Sequence, residues 1–361
     1  MSTLLRRWRG WLPLLVIMIA GAGLRYYRIG ELPPGLYRDE AVDGLDALGI
    51  THGHLALFFA ANNGREGLYM YLLAAGIALL GRTPLALRIV SATVGLLTLP
   101  AIYAAGRYLF SHQVGIFSAG VMAFTFWHLA LSRVAFRAIT LPLLLCVTVA
   151  LGAYVVRRFF TEQPGLPGIS SGAPARAAPS PGTQLFIQPP QTTASGIPSF
   201  WRTWPAALAG VSFGLIFYTY TAGQFVLALL VAFVGFLFLL RALHVPAYQW
   251  KPSPARRKAA WNAITFAVFG AVATFTPFAI WLVRHGNLYY QRAGEVSILN
   301  ATINKGSVVG TLVGNVIKAT GMFVYQGDRI WRHNLSLRPV FDGGIAIAFI
   351  IGVVACVWWL A

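Results

Sequence analysis

Leu68-Tyr-Met-Tyr-Leu-Leu-Ala-Ala-Gly-Ile-Ala-Leu-Leu80 is apolar from end to end, yet it is only thirteen residues long. As a helix it would measure ~20 Å at 1.5 Å per residue. A bilayer's hydrocarbon core is ~30 Å thick. The stretch therefore reads as a helix lying along the membrane interface or dipping into it. That choice sets the membrane side of every loop that follows.

The surrounding chain makes the question a membrane one. Of its 361 residues 57% are hydrophobic and 11% charged, against roughly 25% charged in soluble domains. Eight apolar runs approach the ~20 residues needed to span: Trp11–Leu24, Leu87–Ala105, Val114–Leu131, Ile139–Val156, Pro205–Thr219, Gln224–Leu240, Ala263–Val283 and Gly343–Ala361. The predicted fold is all-α, a single polytopic transmembrane helical bundle over 1–361. The first run follows Arg6, Arg7 and Arg9 and could pass for a signal peptide. No small-residue cleavage site follows it, since Arg25-Tyr-Tyr-Arg28 comes next, so a retained anchor is expected. Cys146 and Cys356 both lie in apolar runs and read as small core residues.

Charge tests the choice made for Leu68–Leu80. If it does not span and the N-terminus is cytoplasmic, the inner segments carry thirteen Lys and Arg and one acid, Glu162. The outer segments hold the other nine acids. Arg157-Arg158 and Arg256-Arg257-Lys258 then both fall inside, as the positive-inside rule asks. A spanning Leu68–Leu80 would put both outside. The expected location is the inner, plasma membrane, multi-pass, with the polar chemistry facing outward. The net charge of +18 fits basic loops against anionic lipid. No basic, aromatic-interleaved nucleic-acid module appears.

Three segments stand apart from the spans. Residues 157–204 are rich in Pro, Gly, Ser, Thr and Ala and read as a disordered cytoplasmic linker. Residues 25–86 and 284–342 are outer loops too long for simple connectors.

The first outer loop holds Asp39, Glu40, Asp43 and Asp46 in one short stretch, although the chain has only ten acids. Asp39, Asp43 and Asp46 share a face if a helix begins at Asp39. Asp39 as an N-cap with Glu40 in the first turn needs no function. Further acids beside a membrane point to chemistry. Arg65 and Glu66 follow in Asn62-Asn-Gly-Arg-Glu-Gly67, as a surface ion pair or as a site for an anion. Arg133 and Arg137 sit at the outer end of a span, where they snorkel to lipid phosphate or grip a substrate phosphate. The last cluster runs from Gly327-Asp328 through Arg332 and His333 to Arg338 and Asp342. His52, His54 and His333 lack zinc-ligand spacing. Neither a phosphate loop nor a Gly-x-Ser-x-Gly elbow is present. The residues suit a reaction in which a carboxylate takes a proton while cations receive a phosphate leaving group.

Tyr37-Arg-Asp-Glu-Ala41, Gly64-Arg-Glu-Gly-Leu-Tyr69 before a short helix, Leu87-Arg-Ile-Val-Ser-Ala92 and Phe217-Tyr-Thr-Tyr-Thr-Ala222 resemble the protein O-mannosyltransferase and aminoarabinose-transferase group. These are GT-C glycosyltransferases that use polyprenyl-phosphate-linked sugars. The resemblance implies Asp39 as general base with Glu40 beside it. It implies Arg65 in place of the basic residue of a Gly-Lys-Pro-Pro-Leu motif, with Glu66 and Gly67 replacing the prolines. By the same likeness, phosphate or substrate binding falls to Arg65, Glu66, Arg133, Arg137, Tyr218, Tyr220, Asp328, Arg332, His333 and Arg338. Many relatives carry an acid where this chain has Arg137-Ala138, so no metal is assigned, and a divalent cation is left open as the one cofactor to consider. Relatives also continue past an eighth span, so a shortened member or a fragment is expected. The implied partners are a polyprenyl-phosphate sugar, membrane lipid and an acceptor that is protein, lipid or glycan. A lipid-linked sugar transporter and a polysaccharide ligase or polymerase remain as alternatives. The first would need polar mid-membrane residues; the second would centre on Arg332 and His333.

Overall fold

The computed structural model describes residues 2–161, 199–243, 254–295, 297–330 and 335–360. In chain order the helices are α1 (Ser2–Tyr26), α2 (Arg38–Thr51), α3 (Leu68–Leu80), α4 (Pro84–Leu109), α5 (His112–Phe124), α6 (Phe126–Arg133) and α7 (Thr140–Thr161). They continue as α8 (Ser199–Ile216), α9 (Gln224–Ala242), α10 (Pro254–Glu295), α11 (Ala301–Asn304), α12 (Val308–Gly321) and α13 (Gly343–Leu360). Strands β1 (Phe58–Phe59) and β2 (Arg65–Glu66) form one short antiparallel pair, with Phe58 opposite Glu66 and Phe59 opposite Arg65. The protein is an all-α polytopic membrane protein.

Each predicted span coincides with a helix. Four stretches are long and apolar enough to cross, within α4, α7, α9 and α10, and a fifth counts if the bent pair α5–α6 is one span. The apolar parts of α1, α8 and α13 are shorter among the described residues. No described residue of α9 is buried, as suits an apolar helix that faces lipid. The predicted linker overlaps α7 and α8, and its 162–198 portion lies outside the described residues.

Two departures from the sequence reading have local causes. The expected straight span Val114–Leu131 breaks at Thr125 by 58°. There the Thr125 hydroxyl donates back to Val121 O at 2.6 Å, and Arg25 Nη1 donates across from α1 to Ala123 O at 3.4 Å. Arg133 returns the favour, donating to the α1 carbonyls of Leu24 at 2.7 Å and Arg25 at 3.1 Å. Each cation thus serves the carbonyl end of the other's neighbouring helix. Secondly, α10 runs well past the predicted Ala263–Val283, into the expected outer loop, with non-helical geometry at His285. Pro277 cannot complete the helix ladder. The Tyr218 hydroxyl enters the gap, accepting from Phe278 N at 3.1 Å and donating to Thr274 O at 2.8 Å.

Helix α3 has two faces. Tyr69, Met70 and Leu73 are fully buried, and with Ala47, Leu87, Val94 and Ile139 they form the main core cluster. The opposite face, at Leu72, Ala75, Ala78, Leu79 and Leu80, is exposed. A second framework joins α8 to α10 through Gly210-x-x-x-Gly214, a small-residue seam that lets two backbones meet. A Cβ on Gly210 would lie 1.8 Å from Ala267 O.

Candidate active site

Helix α2 begins at Arg38 because Glu40, at its third position, reaches back to the Tyr37 amide at 2.8 Å. Asp39 is not the cap. Glu40 is 2% exposed, and its two oxygens also accept from Ala135 N at 2.9 Å and from Arg88 at 3.3 and 3.4 Å. Arg88 holds the preceding loop as well, donating to the carbonyls of Pro33 and Gly35. Glu40 is therefore an anchor for α2, and it also lines the smaller of the site's two cavities.

Asp43 and Asp46 share a single partner. Arg65 donates through Nη1 to Asp43 and through Nη2 to Asp46, and it is itself 3% exposed. Burial pushes the Asp43 carboxyl up to about 6 despite Arg65 beside it, and burial also raises Asp46. Arg65 reaches this position from the turn 60–64. Asn62, Asn63 and Gly64 there all have positive φ, conformations that Asn tolerates and Gly prefers. A Cβ on Gly64 would strike the Phe58 ring at 2.4 Å.

Glu66 is fully buried. Its Oε1 accepts from Thr221 at 3.0 Å, and Oε2 lies 3.3 Å from Arg137 Nη1, an ion pair short of hydrogen-bond geometry. The Tyr289 hydroxyl bears on the same carboxylate. Arg137 also donates to Gly64 O at 3.0 Å and lies 5.2 Å from the centre of the Tyr220 ring.

These elements enclose a polar cavity of about 550 Å³. Asp39, Arg38, Asp43, Arg65, Arg137 and Tyr220 are on its wall. Asn62 donates to Asp39 at 2.8 Å. A smaller, mainly apolar cavity of about 280 Å³ meets the first one at Tyr37, Asp39 and Phe136. Asp39 thus faces both.

The predicted site residues divide on this geometry. Asp39, Arg65, Arg137 and Tyr220 come together, with Glu66 directly behind them. Arg133 is spent on backbone carbonyls of α1 and of the residues after it, Tyr27 and Leu32 included. Tyr218 is bonded to the α10 backbone around Pro277. Arg338 pairs with Asp342 and sits 4.8 Å over the Phe126 ring, and Asp328 closes a turn through Ile330 N at 3.0 Å. Neither lines the cavity. Arg332 and His333 lie outside the described residues.

Arg38 was not among the residues the sequence singled out. It is exposed, lines the cavity, and among the described residues has neither hydrogen bond nor ion pair. The signal was its place beside Asp39 in the acid-rich stretch. Tyr289 and Asn62 were missed as well, each visible only once distant segments meet.

A divalent cation does not fit this donor set. Asp43 and Asp46 are committed to Arg65, and among the described residues no group of three or more His, Cys, Asp or Glu side chains is placed to hold a metal.

No curated protein and no solved structure matches the chain. Residues 68–166 match the family model described as dolichyl-phosphate-mannose-protein mannosyltransferase. The match takes in α3 to α7, hence Arg88, Arg133 and Arg137, but not the Asp39-Glu40 pair. With the helical membrane architecture, it supports a membrane glycosyltransferase of the GT-C type.

Proposed function

We propose that this protein transfers a sugar from a polyprenyl-phosphate donor to an acceptor hydroxyl, inverting the anomeric centre, with Asp39 as general base. The observation that carries the reading is Asp39's position on the wall of a polar cavity shared with Arg38 and Arg137. Asp39 accepts from Asn62 on this wall, whereas the other acids of α2 are bonded to arginines, Glu40 to Arg88, and Asp43 and Asp46 to Arg65.

The reaction is a single displacement. As the acceptor oxygen bonds to the anomeric carbon, its proton passes to Asp39. The carbon–oxygen bond to phosphate breaks, and both electrons leave on the phosphate. A phosphate ester is a weak base, its second pKa being roughly 6, so it departs without a proton. One base on the acceptor side is enough. Arg38 and Arg137 receive the departing charge, and cations placed where charge develops lower the barrier most. Arg65, already neutralised by two carboxylates, fixes the shape of the floor.

The charge asymmetry of the loops supports an outward-facing site in the plasma membrane, with 1–361 as one GT-C-like unit. Surface chemistry is also a better fit than transport or ligation, since Asp39 and the arginines converge on one cavity. The test is incubation of the membrane-embedded protein with labelled polyprenyl-phosphate sugars. One donor should be consumed and the product should carry inverted anomeric configuration. A retained configuration, or consumption of none, would refute the mechanism.

A further inference from the structure

The apolar cavity that meets the polar one at Asp39 has a neighbour on the other side of Leu36. Leu36 lines both it and a further cavity of about 290 Å³, bordered by Leu45, Leu48, Ile77 and Leu87. The two follow α2 as a mainly apolar trough, interrupted at Leu36, with Asp39 and Glu40 at one end and Arg82 at the other. Its wall contains no strand among the described residues. Pro33 and Pro34 carry no N–H, the carbonyls of Pro33 and Gly35 accept from Arg88, and the amides of Tyr37 and Phe136 are already bonded. A peptide laid here would meet no row of backbone groups to pair with. An alkyl chain requires none.

The direction of the reaction decides which substrate the trough serves. In a displacement, nucleophile and leaving group occupy opposite sides of the anomeric carbon. Arg38 and Arg137, which await the phosphate, line the polar cavity and are absent from the trough. Asp39, which takes the acceptor's proton, lines both. We infer that the acceptor is a lipid-borne hydroxyl, an alcohol on an alkyl or isoprenoid chain, whose tail lies in the trough with its oxygen at Asp39. This rests on the general-base reading of Asp39 and adds the class of acceptor.

The experiment is photolabelling of the full chain in nanodiscs of phosphatidylethanolamine and phosphatidylglycerol, with a long-chain fatty alcohol carrying a diazirine. Crosslinks should concentrate on 31–48 and 131–136 and fall several-fold with excess unlabelled alcohol. They should fall likewise in a Leu36→Asn, Leu45→Asn double variant, which alters side chains 40% and 59% exposed and so leaves the core untouched. They should persist in Asp39→Asn. Competition by a polyprenyl monophosphate but not by the alcohol would give the trough to the donor instead. Competition by a short Leu-Ser-Leu peptide would make the acceptor a peptide. Labelling no denser here than on α9 would remove the site altogether. Labelling needs no turnover, so trough labels on a chain that transfers no sugar would sink the enzymatic reading, and transfer without trough labels would sink only this inference.

Discussion

Glu66 and Arg137 pair at 3.3 Å behind the polar cavity, both nearly out of reach of water, at 1% and 13% side-chain exposure. The pair joins β2 to the turn before α7, and Thr221 and Tyr289 bring two more walls to the same carboxylate. Removing one member of a buried pair costs about 3–5 kcal/mol because the other charge stays behind. Glu66→Ala should therefore lower the melting temperature sharply. Glu66→Gln keeps the shape and should be milder in stability, yet raise KM for the donor about tenfold, the equivalent of about 1.4 kcal/mol, as Arg137 loses its anchor. Unchanged donor KM in the glutamine variant would limit Glu66 to a structural role.

Arg38 and Arg133 separate binding from scaffolding. Arg38→Ala should raise donor KM and lower kcat with little change in melting temperature, since its side chain has no partner among the described residues. Arg133→Ala should do the reverse. It removes donors to four backbone carbonyls, each about 1 kcal/mol, while kcat holds. Parallel kinetics and thermal melts check both.

Asp43 makes a pH prediction whose sign follows from burial. Its folded-state pKa is raised from 3.8 to about 6, so between those values the folded chain holds more protons than the unfolded one. Stability from this group is complete below about pH 4 and is lost as pH rises through about 6. Melting temperature plotted against pH should fall less steeply across that window in Asp43→Asn than in the wild type. A steeper fall in the variant would contradict the assignment.

Gly210 and Gly235 offer a matched pair in membrane helices. A Cβ at Gly210 would overlap Ala267 O at 1.8 Å, whereas at Gly235 nothing lies within 4 Å. Gly210→Leu should abolish the folded, monodisperse protein in size-exclusion chromatography, and Gly235→Leu should leave it unchanged.

Composition and apolar run length were sufficient to place helix at each of the eight predicted spans, because lipid leaves the backbone few alternatives, but they did not mark the apolar helix α12 within the expected outer loop. They could not show the break at Thr125, which has neither Pro nor Gly and depends on Arg25 arriving from α1. Nor could they show that one face of α3 is core, since a run that is apolar all round fits a membrane surface and a protein interior equally well. In the site, Asp39 and Arg65 were legible from local clustering of scarce charges. Tyr218 and Tyr220 were not separable: two residues apart at one helix end, the first bonds to the α10 backbone around Pro277 and the second faces the cavity. The arginines at 133 and 338 looked like phosphate ligands because sequence shows charge but not the carbonyls or carboxylates that occupy it.

The central claim is that Asp39, and not its buried neighbours, takes the acceptor's proton. Steady-state sugar transfer by Asp39→Asn, in membranes where the variant's melting temperature equals the wild type's, tests it most directly. The rate should drop by about 10²–10⁴-fold, the usual contribution of a general base, with donor still bound. Transfer at the wild-type rate would contradict it.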